Sequence, residues 1–207
     1  MDKTDIYFTV SGVSSGIFKD RGSKFISFAQ PVSTHEEAKK IIENYRIKYH
    51  DARHHCYAYI IGPEGNNYRQ YDDNEPSGTA GKPILGQIRL KKLTNTIIVV
   101  IRYFGGTLLG TGGLINAYRN AASEALNNAN IIKCYIYTYY SMTFPWSKLN
   151  TVMKILKDSN ALIKKQEYGD ECIIIAGIRL SLCEHAVTKL SEHSNIIIAP
   201  VNEQEKS

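Results

Sequence analysis

Three stretches of this chain bring together residue types that do chemistry. They are Asp51-Ala52-Arg53-His54-His55-Cys56, the segment 72–83 with Asp72, Asp73, Glu75 and Lys82, and the segment 102–113. In the last, Arg102 precedes glycines at 105, 106, 110, 112 and 113. Adjacent histidines invite a metal site, but successive strand side chains point to opposite faces, so His54 and His55 cannot easily ligate one ion. No metal is expected there: one histidine is read as a structural, hydrogen-bonded group and the other as facing a cleft. Asp72, Asp73 and Glu75 could supply the paired carboxylates of acid–base catalysis. The same Asp-Asp-Asn-Glu-Pro run also has the composition of a turn whose side chains bond their own backbone, and that is the stronger reading. Gly78 to Lys82 has the wrong glycine spacing for a phosphate loop, and Pro83 stands where the metal-binding Ser or Thr belongs, which excludes a nucleoside-triphosphate site.

The glycines at Gly105, Gly106, Gly110, Gly112 and Gly113 lie between a buried strand and a helix start, where free N–H groups can cradle an anion. They lack the spacing of a dinucleotide site. Glycine there can equally serve close helix–strand packing and positive φ, and the two readings stand level. The neighbouring Arg102 leans toward an anionic ligand such as phosphate.

The elements that must hold these segments follow from periodicity. Residues 25–32 read as a strand, and Ser33 with Glu36 as a capping box opening a helix with Ala38, Ile41, Ile42, Tyr45 and Tyr49 on its apolar stripe. Strands are expected at 54–61 and 67–71, and a helix at 83–93 with proline in its first turn. Residues 96–104 form an aliphatic run suited to a strand buried on both faces, and 114–129 an alanine-rich helix. After a polar stop at 127–133 the order becomes strand 135–143, helix 146–158, strand 160–167, strand 171–180, helix 182–193, strand 195–199. Here Ser181 and Glu184 suggest a second capping box. This βαββαβ order is that of a ferredoxin-like domain, two helices on one face of a four-stranded antiparallel sheet. The chain is therefore read as α+β with two domains, 1–130 and 134–201, ordered except at its polar ends, 1–5 and 202–207.

With 207 residues, 43% apolar and 22% charged, the composition is that of an ordinary globular protein. No aliphatic run approaches the roughly 20 residues of a membrane-spanning helix. The acidic Met1-Asp2-Lys3-Thr4-Asp5 start does not read as a secretory leader, and Cys56, Cys134, Cys172 and Cys183 form no Cys-x-x-Cys pair. A cytoplasmic protein with reduced thiols is expected. The net charge of +5 is concentrated early: the first 132 residues hold 16 cations against 12 acids, the remainder 9 against 8. The sequence pI near 8.9 permits nucleic-acid contact without demanding it. Arg89-Leu90-Lys91-Lys92 reads as a solvated helix end favoured by the macrodipole.

Residues 52–59 (ARHHCYAY), 72–85 (DDNEPSGTAGKPIL) and 99–119 (VVIRYFGGTLLGTGGLINAYR) resemble the YigZ/IMPACT family. The resemblance implies an N-terminal α/β domain similar to the second domain of a small-subunit ribosomal protein, with a left-handed crossover. Handedness rules alone would favour the right-handed choice. It also implies a C-terminal ferredoxin-like domain similar to domain V of elongation factor G. Eukaryotic members are translation regulators, but they bind their partner through a separate N-terminal domain absent from these residues, so that partnership is not expected to transfer. What the resemblance implies is a translation-associated regulator, leaning away from an enzyme and without a cofactor. It would bind RNA, ribosome or a translation factor through a surface formed by Arg53, His54, His55, Asp72, Asp73, Glu75, Lys82 and Arg102. Two other readings stand beside it. One is a small-molecule or phosphoester hydrolase using His55 with Asp72, Asp73 or Glu75 and the glycine loop; the other is a protein adaptor without nucleic acid. Residues 172–178 lack the stacking aromatics of an RNA-recognition sheet, so contact is expected to be directed at phosphate.

Overall fold

The computed structural model describes residues 5–201, which divide into two compact bodies: Tyr7–Cys134, and residues 135–201 together with Asp5 and Ile6. In the first, β2 (Ser14–Asp20), β3 (Ser23–Pro31), β4 (His54–Ile61), β5 (Asn67–Tyr71) and β6 (Thr96–Tyr103) form a five-stranded sheet in the order β2-β3-β6-β4-β5. Every neighbouring pair is antiparallel. The strands β1 (Ile6–Val10) and β7 (Ile131–Tyr135) make a separate two-stranded ladder. Neither β1 nor β2 is evident in the sequence, because the run Ile6 to Asp20 is broken by Ser11 and Gly12 and lacks a sustained alternation.

The central strand β6 is buried on both faces, as its aliphatic run requires. Ile98 and Val100 pack into one core, beneath α2 (Gly81–Leu90) and α3 (Gly110–Asn127), while Ile97, Val99 and Ile101 pack into the other, beneath α1 (His35–Lys48). The period-2 reading of β4 holds in the same way, with Cys56, Ala58 and Ile60 in the first core and Tyr57, Tyr59 and Ile61 in the second. α1 is capped one residue later than expected. Thr34 Oγ1 accepts from Glu37 N at 3.1 Å, and the Glu37 carboxylate accepts from Ser33 N and Ser33 Oγ, both at 2.7 Å. Those bonds hold Glu37 below its ordinary carboxylate range. α2 begins two residues before the expected start and keeps Pro83 in its first turn. α3 begins at Gly110, so Gly110, Gly112 and Gly113 belong to a helix rather than to a loop.

The second body runs β8 (Tyr137–Pro145), α4 (Leu149–Asp158), β9 (Leu162–Glu167), β10 (Glu171–Arg179), α5 (Cys183–Ser191) and β11 (Ile197–Pro200), in the sheet order β11-β8-β10-β9. Its strands pair antiparallel. Val152 and Leu156 of α4 and Cys183, Ala186 and Leu190 of α5 pack on Met142, Phe144, Ile174 and Ile178. Short 3-10 turns lead into both helices. The expected capping box at Ser181 is absent: α5 has no side-chain cap, and Ser181 Oγ donates instead to Asp5 at 2.6 Å. Asp5 also accepts from Arg179 Nε at 2.9 Å and Nη2 at 3.0 Å, which ties the start of the chain to this body. The expected ragged end at 202–207 and residues 1–4 lie outside the described residues.

Candidate functional site

The antiparallel register brings the three motif segments to one end of the first sheet. His54 of β4 and Phe25 of β3 both lie opposite Arg102 of β6, and Lys24 lies opposite Tyr103. β5 ends at Tyr71, so the acidic turn begins at that same end and leads into α2.

Within this convergence each acidic side chain has its own structural partners. Asp72 supplies the cap that α2 lacks at its N-cap Ala80: its Oδ1 accepts from Ala80 N at 2.9 Å and Gly81 N at 2.8 Å, and Oδ2 accepts from Gly78 N at 2.9 Å. The anion expected at a helix start is thus part of the chain itself. Asp73, with φ of 41°, accepts from His55 N at 2.6 Å, and its carbonyl accepts from His54 Nδ1 at 2.9 Å. Its other carboxylate oxygen lies 3.5 Å from Arg46. Glu75 is buried, and its Oε1 accepts from Arg102 Nη1 at 2.6 Å and Tyr118 Oη at 2.7 Å. The sulfur of Cys56 sits 3.3 Å from the same Tyr118 hydroxyl and 3.0 Å from the Asp72 carbonyl. Burial pushes the Cys56 thiol and the Tyr118 hydroxyl well above their ordinary values, so both stay protonated near neutrality.

Three expectations are corrected by this packing. Arg102 is buried, bound to Glu75, and its guanidinium carbon lies 5.5 Å and 5.7 Å from the ring centres of Phe25 and Phe104. It therefore does not front a ligand surface. Its Nε is buried and, among the described residues, has no hydrogen-bond partner. His55 is buried as well, and its Nε2 donates to the Tyr49 carbonyl at 3.1 Å. The remaining Nδ1 lies 3.8 Å from the Asp73 carboxylate, near in space yet outside hydrogen-bond range and shielded from solvent. A hydrolytic base needs a ring nitrogen open to water or substrate, so the geometry does not favour the hydrolase reading. Among the described residues no three His, Cys, Asp or Glu side chains are grouped to hold a metal ion.

The glycines divide by role. A Cβ on Gly105 would lie 1.8 Å from the Gly22 carbonyl carbon, so this residue serves a backbone-to-backbone contact, reinforced by its N–H donating to Ser23 Oγ at 3.2 Å. Gly106 and Gly110 hold φ of 86° and 70°. Gly113 is tight against Leu109, whereas Gly110 and Gly112 are exposed with open space where a Cβ would stand. The first turn of α3 carries no side-chain cap and no acidic residue.

Two motif cations remain in solvent. Arg53 is exposed at the entry to β4, and Lys82 is exposed on the first turn of α2. Lys82 lines a cleft of about 440 Å³ between α2 and α3, together with Gln87, Leu90, Ile115 and Arg119, and no carboxylate is among the lining residues. Arg119 was not singled out from sequence. Its only signal was its position on the outer face of α3, four residues beyond Ile115.

Residues 21–126 match the model of the Impact N-terminal domain. The chain belongs to the IMPACT family. It is 35% identical over 164 residues to IMPACT family member YvyE of Bacillus subtilis, covering 79% of this chain and 76% of that one. To IMPACT family member YigZ of Escherichia coli it is 35% identical over 174 residues, covering 83% and 85%. The Protein IMPACT homolog of Saccharomyces cerevisiae is 33% identical over 94 residues, only 44% of this chain and 36% of the yeast protein. A solved structure titled as that of a hypothetical protein superposes with a TM-score of 0.73 at 27% identity, covering 97% of this chain and all of the other. No described helix is long and apolar enough to cross a membrane.

Proposed function

We propose that this IMPACT-family chain is a non-catalytic, translation-associated regulator that binds RNA, bare or in the ribosome, through phosphate contacts on its first body. The observation that carries the reading is the cleft in which Lys82 and Arg119 stand without a lining carboxylate. Asp72, the motif acid bound at the start of α2, is occupied by three amide N–H groups. Arg53 is a further exposed cation of the same body, and the Asp72 and Asp73 hydrogen bonds hold the start of β4 and the turn before α2. The family resemblance adds two analogies to the setting: it implies a likeness of the first body to the second domain of a small-subunit ribosomal protein, with a left-handed crossover, and of the second body to domain V of elongation factor G. Fold analogy of this kind motivates the reading and does not carry it.

The test is fluorescence-polarisation titration of the full chain with single-stranded and structured RNA over a range of salt. Affinity is expected to fall linearly in log–log form with salt. Lys82→Gln with Arg119→Gln should weaken binding of all sequences alike and lower the salt slope by roughly 2. Absence of binding at about 50 mM salt, where phosphate contacts are strong, overturns the reading. Pull-down that survives nuclease treatment and the charge substitutions would instead indicate a protein adaptor.

A further inference from the structure

The second body carries a surface that the reading above does not use. Among the described residues β9 is an outer strand of its sheet, paired only with β10. Its residues are almost all exposed, its register against β10 shifts between Ile175 and Ala176, and among the described residues no strand bonds its free side. Beside it lies a hollow of about 560 Å³ lined by Met153, Lys154, Leu156 and Lys157 of α4 and by Ala161 and Ile163. The floor is apolar: Leu156 is buried, and Met153, Ala161 and Ile163 are partly buried against the core. The rim is cationic. Lys154 and Lys157 line it, are exposed and have no ion-pair partner among the described residues; on β9 itself Lys164 is exposed and Lys165 is paired with Glu167 at 2.7 Å.

An open strand edge, an apolar groove between that strand and a helix, and a charged rim are the three parts that β-strand addition uses. The main chain supplies affinity and alternate side chains in the groove supply selectivity. We propose that the β9–α4 groove receives an extended acidic segment of a partner protein as a fifth strand. Its apolar side chains would enter the hollow against Met153 and Ile163, and its carboxylates would meet Lys154 and Lys157. Charge selects this occupant. A second copy paired edge to edge in the register centred on Lys164 and Lys165 would set them against their own counterparts, an unfavourable like-charge arrangement. RNA would satisfy the lysines but leave the strand edge and the apolar floor unused.

The probe is a fluorescein-labelled peptide, Glu-Val-Glu-Leu-Glu-Val, titrated into the full chain by polarisation, with backbone hydrogen exchange recorded free and bound. Saturable binding is expected, with slowed exchange along β9. Lys154→Glu with Lys157→Glu should weaken it roughly tenfold or more with only a small drop in melting temperature, since both side chains are exposed and only the charge of Lys157 at the end of α4 is lost to the fold. A peptide with alternate amides N-methylated should not bind. The inference is overturned by the absence of saturable binding up to about 1 mM, by equal binding of a lysine-for-glutamate peptide, or by equal binding to the charge-reversed variant. It is also overturned if β9-dependent dimers appear in size exclusion, or if oligo-uridine alone occupies the lysines. Lys82 and Arg119 are untouched by this variant, so the outcome is independent of the RNA-binding test.

Discussion

Arg102 and Glu75 meet at 2.6 Å with 6% and 3% of their side chains exposed, joining the end of β6 to the turn that precedes α2. Removing one partner leaves an uncompensated charge in a buried place. Glu75→Ala or Arg102→Ala should each cost about 3–5 kcal/mol, and the joint replacement Glu75→Gln with Arg102→Met should cost less than either. Urea unfolding measures this. A loss under about 1 kcal/mol in the single variants would mean that water reaches the pair.

Asp72 does the work of a helix cap from outside the helix. Asp72→Ala strips acceptors from the N–H groups of Gly78, Ala80 and Gly81, and is expected to cost about 1–3 kcal/mol. Hydrogen exchange at those three amides should accelerate before the rest of α2. Unchanged protection there would show that another group replaces the carboxylate.

Gly105 and Gly112 lie seven positions apart in the same glycine-rich stretch and should respond oppositely to alanine. At Gly105 the new Cβ would meet Gly22 and Ser23 backbone at 1.8 and 2.1 Å, and neither can retreat as a side-chain tip would. Gly105→Ala should lower stability by several kcal/mol, of order 3 or more, or prevent folding. Gly112→Ala meets open space in a helical turn, and should be neutral or stabilising by up to about 1 kcal/mol. Thermal melts of the two variants decide it, and similar melting temperatures would contradict the packing described.

The hydrogen bonds from Arg179, followed by those from Ser181, hold the Asp5 carboxyl down to about 2, against an ordinary 3.8, despite its burial. A carboxyl depressed on folding stabilises the fold above its unfolded pKa, and that contribution drains away as pH falls through the folded one. The second body should therefore lose stability between about pH 4 and pH 2, followed by circular dichroism melts. In Asp5→Asn this part of the acid dependence should flatten. An unaltered profile would show that the pair is not formed in solution.

Cys56 is buried with a thiol pushed upward by burial, whereas Cys134 is partly exposed. An aromatic disulfide reagent near pH 8 should modify Cys134 well before Cys56, because burial both shields Cys56 and holds its thiol protonated. Mass spectrometry of the partly labelled protein identifies the order. Early labelling of Cys56 would contradict the buried Cys56–Tyr118–Glu75 cluster.

The local features that were legible share one property: neighbours a few residues apart specify them. The two faces of β4 and β6, the stripe Ala38, Ile41, Ile42 of α1, and the paired helices of the second body all appear in the sequence as period 2 or period 3.6. Where two local signals compete, the reading shifts by a residue or more, as at Ser33 against Thr34. Ser181 misleads outright, because a carboxylate 176 residues away at Asp5 captures its hydroxyl. β2 was invisible because what stabilises it is its neighbour β3 and the helix α3, to which Ser14 Oγ donates at Ala125 O over 2.8 Å.

Sequence alone determined the order of the helices and of most strands, the apolar faces, and the place of each motif segment at a strand end or in a loop, since hydrophobic periodicity and turn chemistry act over short stretches of chain. Only the tertiary structure decided which motif residues face water. His55, Glu75 and Arg102 look like surface chemistry when read along the chain. Register places Arg102 opposite His54 and Phe25 and brings Glu75 beneath α3, so their charges neutralise one another in the interior. Lys82 and Arg119, 37 positions apart, line a common cleft because α2 and α3 cover the same sheet face. That pairing arises from long-range packing, which no local pattern encodes.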